Sequence, residues 1–129
     1  PIAAVINRLR GPFNVSTPAQ LAGIAAIEDQ AHVEASIKHN DVWRDRLFQQ
    51  ISGAGFKVFP SHANFLLIKF DSENGLSASQ AEQKLNERGL ILRGLTAYGL
   101  PDALRLTIGT EEANELVANV FLEMAENYG

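Results

Sequence analysis

The 129-residue sequence contains no cysteine and only one methionine and one tryptophan. The lack of cysteine excludes disulfides, thiolate metal sites, iron–sulfur clusters and a cysteine nucleophile. No apolar run approaches the roughly 18 residues of a membrane-spanning helix, so we expect no membrane partner. With 11 Lys and Arg against 15 Asp and Glu, the sequence lacks the basic excess of a nucleic-acid-binding protein. These absences leave a soluble globular domain, which the missing export signal predicts to be cytoplasmic.

The length predicts a single domain that buries about two-thirds of its unfolded surface around one core. The sequence begins at Pro1, and its one methionine is Met124, near the opposite end. We therefore expect either a processed product or a segment of a longer protein.

The first half of the sequence is predominantly helical in pattern. A short helix is predicted at residues 2–9, followed by an extended turn at 11–14. Thr17, Pro18 and Gln20 predict a helix start in which Thr17 caps and Gln20 completes a capping box. The helical pattern then runs to about residue 52, with a bend or break at 30–33, and Gly53 and Gly55 are expected to end it.

The second half predicts two pairs of strands, each followed by a helix. We expect strands at 57–59 and 64–70, a polar turn at 71–75, and a helix at 77–88 with a capping box of Ser77 and Gln80. Further strands at 90–93 and 104–108 enclose a loop at 94–103, and Thr110 begins a last helix with an inward stripe that includes Leu116. The order α-β-β-α-β-β-α predicts an α+β fold, with a mostly antiparallel four-stranded sheet and helices on one face.

Residues that could form a catalytic or metal site are few. His32 and His39 lie seven positions apart, about 10 Å along a helix, which is too far to share a metal ion. His62 stands alone, and the residues Gly53-Ala54-Gly55 follow a helix and precede a strand, the reverse of a dinucleotide-binding fingerprint. The pattern therefore predicts no metal site and no catalytic residue.

Two arginines on the predicted strands are candidates for an anion site. Arg93 lies opposite Leu90 and Leu92 in its alternation, and Arg105 points away from the apolar face of its own strand. If these strands are neighbours, both guanidinium groups project from one side of the sheet, where they could hold a carboxylate or phosphate. Asn64, at the start of an apolar strand, could contribute to the rim. The alternative, which the pattern alone favours, is that all three are solvated without a ligand.

Five short motifs occur along the chain: RGPFNVS at 10–16 with AQ at 19–20, ANF at 63–65, GLILR at 89–93, YGLP at 98–101 and LRLTIGTEEAN at 104–114. Each motif alone is weak. Their joint order resembles the histidinol-phosphate aminotransferases, a branch of the class I and II aminotransferases with the type I fold of pyridoxal-phosphate enzymes.

This resemblance implies that the chain is the C-terminal small domain of such an enzyme. Residues 1–16 would connect it to a large domain outside the sequence, and residues 17–129 would form the small domain. In the family, the large domain carries the Schiff-base lysine and most contacts to pyridoxal 5'-phosphate. None of the four lysines, Lys38, Lys57, Lys69 and Lys84, has a matching context, so we expect neither a catalytic residue nor bound cofactor in this segment.

The resemblance also implies roles for the candidate residues. Arg105 matches the arginine that binds the anionic end of the substrate, Arg93 matches its companion, and Asn64 belongs to the ANF motif. The full enzyme would be a homodimer in histidine biosynthesis that transfers an amino group between glutamate or 2-oxoglutarate and histidinol phosphate or its ketone.

Three alternatives remain open at this point. Two lie within the same fold, a threonine-phosphate decarboxylase and an aromatic amino-acid aminotransferase, since both share much of this C-terminal pattern. The third is of another class: a stand-alone module that binds a small molecule or a partner without catalysis.

Overall fold

The computed structural model of the chain describes residues 2–11, 14–71 and 75–128. Within these residues, five α-helices and four strands form: α1 Ile2–Leu9, α2 Thr17–Glu28, α3 Gln30–Gly53, β1 Lys57–Phe59, β2 Phe65–Lys69, α4 Ala78–Glu87, β3 Arg93–Leu95, β4 Leu100–Thr107 and α5 Glu111–Tyr128. A 3-10 turn, Thr96–Tyr98, joins β3 to β4. No helix among the described residues is long and apolar enough to cross a membrane.

The chain divides into two compact units, residues 1–36 and 37–129. The division falls within α3. The predicted boundary between a connecting segment and a small domain, after residue 16, stays a prediction.

The first unit begins with α1, at the residues expected from the sequence. Its apolar side chains Ile2, Val5, Ile6 and Leu9 are all exposed, although their spacing places them on one face of the helix. In α2 no residue is buried either. Both helices of this unit therefore present apolar side chains that the unit itself does not cover.

The predicted capping of α2 is wrong, because the helix begins one residue earlier than expected. Thr17 is already helical, and the extended residue before the helix is Ser16, which makes no side-chain capping bond. The side-chain Nε2 of Gln20 donates to the carbonyl of Val15 at 3.0 Å instead. The expected turn at 11–14 includes residues 12 and 13, which lie outside the described part of the chain.

The predicted break in the long helix is confirmed, one residue earlier than expected. Asp29 separates α2 from α3, and its carboxylate accepts from the backbone N–H of His32 at 3.1 Å. A short acidic side chain at this position satisfies an otherwise unpaired N–H of the new helix. At the far end of α3, Gly53 is still helical, and Gly55, with φ of 95°, turns the chain.

The second unit contains a four-stranded sheet in the order β1-β2-β4-β3, with every neighbouring pair antiparallel. Leu66 and Ile68 of β2 oppose Leu106 and Leu104 of β4, and all four are buried on one face of the sheet. Buried residues of α3, α4 and α5 pack against that face. The predicted α+β fold, with helices on one face of an antiparallel sheet, is confirmed.

The second pair of strands does not have the predicted boundaries. β3 begins at Arg93, where the predicted strand ends, and β4 begins at Leu100, within the predicted loop. Gly99 adopts φ of 75°, a left-handed conformation that glycine adopts easily, and it closes the 3-10 turn. Because this turn is so short, both strands extend into the predicted loop.

The two remaining helices largely follow their sequence patterns. Ser77 and Gln80 form the predicted capping box at the start of α4. In α5 the predicted inward stripe is buried except for Leu116, which is 39% exposed, and Ala118 is buried instead. Of the predicted turn at 71–75, residues 72–74 lie outside the described part of the chain.

Phe121 lies at the centre of the core, and its substitution tests how much this packing stabilises the fold. It is fully buried, and its ring contacts Phe56 edge-on at 5.1 Å between centroids and Phe70 at 6.3 Å. We expect Phe121→Ala to lower the free energy of unfolding by about 3–5 kcal/mol, because it leaves a cavity among these rings. Urea denaturation measures this loss. The control is Leu122→Ala, at a 42% exposed neighbour, which should cost less than about 1 kcal/mol; equal losses would contradict the prediction.

Candidate functional site

The two candidate arginines lie side by side on neighbouring strands. Arg93 of β3 is the direct antiparallel partner of Arg105 of β4. The same row continues across the sheet through Leu67 of β2 to Phe59 of β1. Because paired residues on adjacent strands share a face, both guanidinium groups project from the face opposite the helices. The row is therefore cationic at one end and apolar at the other.

Each arginine packs against an aromatic ring. The guanidinium carbon of Arg105 lies 5.3 Å from the ring centroid of Phe65, and that of Arg93 lies 5.5 Å from the centroid of Tyr98. The Nη2 group of Arg93 also donates a hydrogen bond to the hydroxyl of Tyr98 at 2.9 Å. Such cation–π contacts orient a guanidinium group without neutralising its charge.

Arg105 retains an unused hydrogen-bond donor. Its Nε is buried and has no hydrogen-bond partner within the described part of the chain. The ion pairs found among the described residues involve neither Arg105 nor Arg93. A buried N–H without an acceptor is costly, and two like charges directly opposite on a sheet repel. An anion bound between the two arginines would relieve the second of these costs.

Asn64 does not lie in the arginine row. Its carbonyl accepts from the N–H of Ile108 at 2.9 Å, and its side chain is exposed. Ile108 is three residues beyond Arg105, which corresponds to about 10 Å along a strand. The structure thus brings the two arginines together and leaves the backbone of Asn64 at the end of the sheet.

The same end of the sheet is held by polar side chains that the sequence analysis did not identify. The buried side chain of Asn114 accepts from Gly109 N–H at 2.9 Å and donates to the Gly109 carbonyl at 3.0 Å. The Nε2 of His39 is 2.9 Å from that same carbonyl, and Asn40 donates to the carbonyl of Ala63 at 3.4 Å. The TEEAN sequence at the start of α5 carries a signal for these contacts, since an asparagine near a helix start commonly binds neighbouring backbone groups.

Two lysines lie on the strands but not in a setting for covalent chemistry. The Nζ of Lys69 is 2.9 Å from the carboxylate of Asp102, and the Nζ of Lys57 lies 5.4 Å from the ring centroid of Phe59. Both side chains are exposed, so neither fits a buried amine that would hold an aldehyde cofactor. Across residues 2–11, 14–71 and 75–128, no group of three His, Asp or Glu side chains is placed to bind a metal ion.

The ion pair of Lys69 with Asp102 affects the pKa of Asp102 and so the dependence of stability on pH. The hydrogen bond from Lys69 lowers the pKa of Asp102 below its ordinary value of 3.8. Because the pKa is lower in the folded state, the pair stabilises the fold above that ordinary value and loses its effect as pH falls through the folded pKa. We expect Lys69→Met to raise the pKa of Asp102, as measured by carbon NMR titration. Lys57→Met serves as the control, and an unchanged pKa in the Lys69 variant would contradict the assignment.

Residues 1–121 match the family model of the class I and II aminotransferases. The chain belongs to this family.

Several relatives carry one particular name. The histidinol-phosphate aminotransferase of Rhodopseudomonas palustris strain BisA53 is 56% identical over 116 residues, covering 90% of this chain and 32% of the relative. That of Nitrobacter hamburgensis is 55% identical over 118 residues, covering 92% and 32%. The solved histidinol-phosphate aminotransferase of Clostridium acetobutylicum superimposes with a TM-score of 0.77 at 26% identity, covering 98% of this chain and 38% of that one. The chain thus spans about a third of the length of the relatives it matches.

Proposed function

We propose that the chain is the substrate-anion-binding part of a histidinol-phosphate aminotransferase. In this proposal the whole enzyme is cytoplasmic and belongs to histidine biosynthesis. It transfers an amino group from glutamate to the ketone that corresponds to histidinol phosphate. The observation that carries the proposal is the direct pairing of Arg93 with Arg105 on the open face of the sheet. The similarity to enzymes of that name supports the choice of substrate.

The chemistry of the arginine pair suits both substrates. Glutamate presents a carboxylate and histidinol phosphate a phosphate, and one site must accept them in turn. A guanidinium group offers a planar fork of N–H donors that matches two oxygens of either anion. Arg105 is the partly buried member of the pair and Arg93 the exposed one, so we propose Arg105 as the primary contact and Arg93 as its companion.

The open alternatives differ in what this pair would bind. A threonine-phosphate decarboxylase would also need a phosphate contact, whereas an aromatic amino-acid aminotransferase needs only a carboxylate contact. A binding module without catalysis would bind an anion with the same arginines, and no reaction would follow. Relatives 55–56% identical to this chain that carry the name of histidinol-phosphate aminotransferases favour the first proposal over all three.

Pyridoxal phosphate, the cofactor of the aminotransferase family, supplies the electron sink for amino transfer. We propose that it is attached to the longer enzyme outside these residues, since Lys69 is engaged with Asp102 and Lys57 lies over Phe59. The contribution of this chain is then to bind and orient the substrate by its anionic end.

The helices of the first unit expose apolar side chains that a partner surface could cover. Ile2 and Leu9 of α1 are about four-fifths exposed, and Ile27 of α2 is 71% exposed. Large apolar side chains exposed on neighbouring segments of the sequence are typical of a surface that a partner covers. We propose that the large domain of the longer enzyme covers these helices, and that the enzyme is a homodimer.

Substitution of Arg105 tests the proposed function. In the longer enzyme, we expect Arg105→Ala to lower kcat/KM for both histidinol phosphate and glutamate, by about 2–4 kcal/mol in transition-state binding, because the anion loses its main donor. Arg105→Lys keeps the charge but not the fork, and should recover only part of the loss. The control is Arg88→Ala, which removes an exposed pair with Glu123 on the helical side. Kinetics unchanged by Arg105→Ala would overturn the proposal.

Cofactor labelling tests whether this chain attaches pyridoxal phosphate. We expect incubation of the 129-residue chain with the cofactor, followed by borohydride reduction, to leave no lysine modified stoichiometrically, because none of the four lysines is buried in a pocket that would stabilise the linkage. Peptide mass spectrometry reads the modified positions, and the Lys69→Met variant should give the same result. Complete modification of one lysine would show that the attachment site lies within this chain.

A further inference from the structure

Arg93 is the exposed member of the arginine pair, and it depends on Tyr98 for its position. The hydroxyl of Tyr98 accepts a hydrogen bond from Nη2 of Arg93 at 2.9 Å, and the ring lies 5.5 Å from the guanidinium carbon. Arg105, by contrast, is partly buried beside Phe65. An exposed arginine without such contacts would lose side-chain rotamer freedom on binding a ligand. Tyr98 reduces that loss before the ligand arrives.

The position of Tyr98 is itself fixed by the backbone. It ends the 3-10 turn Thr96–Tyr98, and the N–H of Gly99 donates to the carbonyl of Thr96 at 3.0 Å. This turn connects β3 directly to β4, which places the phenol beside the strand that carries Arg93. The hydroxyl therefore forms its bond from a short, closed turn rather than from a long loop.

Among the residues that the structure describes, no carboxylate forms an ion pair with Arg93. Glu82 approaches β3, but its Oε1 lies 3.4 Å from where a Cβ on Gly94 would be. Because successive side chains on a strand point to opposite faces, that position is on the other side of β3 from Arg93. Tyr98 thus holds the guanidinium group of Arg93, whose strand position is paired with Arg105, through a hydroxyl rather than a carboxylate, and the positive charge remains available to a ligand.

We propose that Tyr98 is a positioning residue that makes the arginine pair bind phosphate in preference to carboxylate. The proposal rests on the proposed function, in which both arginines bind substrate anions. A carboxylate has two oxygens, which one guanidinium fork satisfies, and Arg105 can provide that fork. A phosphate has further oxygens that extend to a second guanidinium. Therefore only phosphate binds more tightly when the guanidinium group of Arg93 is held in place.

The test compares two anions on the 129-residue chain, inorganic phosphate and acetate, by following the side-chain N–H signals of both arginines in NMR titrations. We expect Tyr98→Phe, which keeps the ring and removes the hydroxyl, to raise the Kd for phosphate about three- to tenfold, the effect of one hydrogen bond. The Kd for acetate should change less than twofold. Thr96→Val, which removes a hydroxyl from the same turn, is the matched control and should change neither value.

A second variant separates positioning by Tyr98 from a general change in the turn. In an Arg93→Met background, the donor to Tyr98 is absent, so Tyr98→Phe should cause no further loss of phosphate affinity. If Tyr98→Phe weakens both anions equally, or weakens phosphate just as much in that background, the proposal for Tyr98 fails while the proposed function stands. If phosphate shifts the signals of neither arginine in the unmodified chain, both proposals fail.

Discussion

The register between β3 and β4 is the constraint on which the site depends. It sets Arg93 directly opposite Arg105, although two like charges in that relation destabilise a strand pair. The burial of Leu104 and Leu106 against the helices provides the opposing force. Because side chains alternate along a strand, a slip of one residue would move Arg105 into the core and both leucines to the open face. The apolar core therefore holds the arginines together.

The far end of β4 is fixed by polar contacts instead. Asn114 uses both its amide N–H and its carbonyl on the backbone of Gly109, and His39 contacts the same residue from α3. Asn114 is almost completely buried, so loss of these bonds would leave an unsatisfied amide at a cost of about 1–3 kcal/mol. The strand that carries Arg105 is thus anchored to α5 and α3 where it ends, and to the core along its length.

The sequence predicted those features that depend on local periodicity. Helix α1, the break at Asp29, the capping box at Ser77 and the strand β1 have clear local signals, and the order of elements was sufficient for the fold. The predicted boundaries of β3 are wrong because Leu90 and Leu92 alternate like strand residues. Both are buried, but they precede the residues of β3 that pair with β4. A pattern of burial does not reveal which backbone groups pair.

The candidate site could be predicted only in part from the sequence. Alternation alone placed Arg93 and Arg105 on the open side of their strands. Their aromatic neighbours could not be predicted in the same way, because the contact of Arg105 with Phe65 depends on the pairing of β2 with β4. The contact of Arg93 with Tyr98 depends on a turn whose length the sequence pattern did not indicate.

The partners of the arginines differ between the helices and the sheet, and this difference has a chemical consequence. Three arginines outside the sheet each have a carboxylate partner: Arg44 with Asp41, Arg46 with Glu115 and Arg88 with Glu123, and Arg46 also lies 4.5 Å from the ring centroid of Trp43. Arg93 and Arg105 instead have aromatic partners. A carboxylate neutralises a guanidinium group, whereas a ring or a phenol orients it and leaves its charge in place. In a chain with a net charge of -4, positive potential therefore persists at this row, where an anionic ligand can use it.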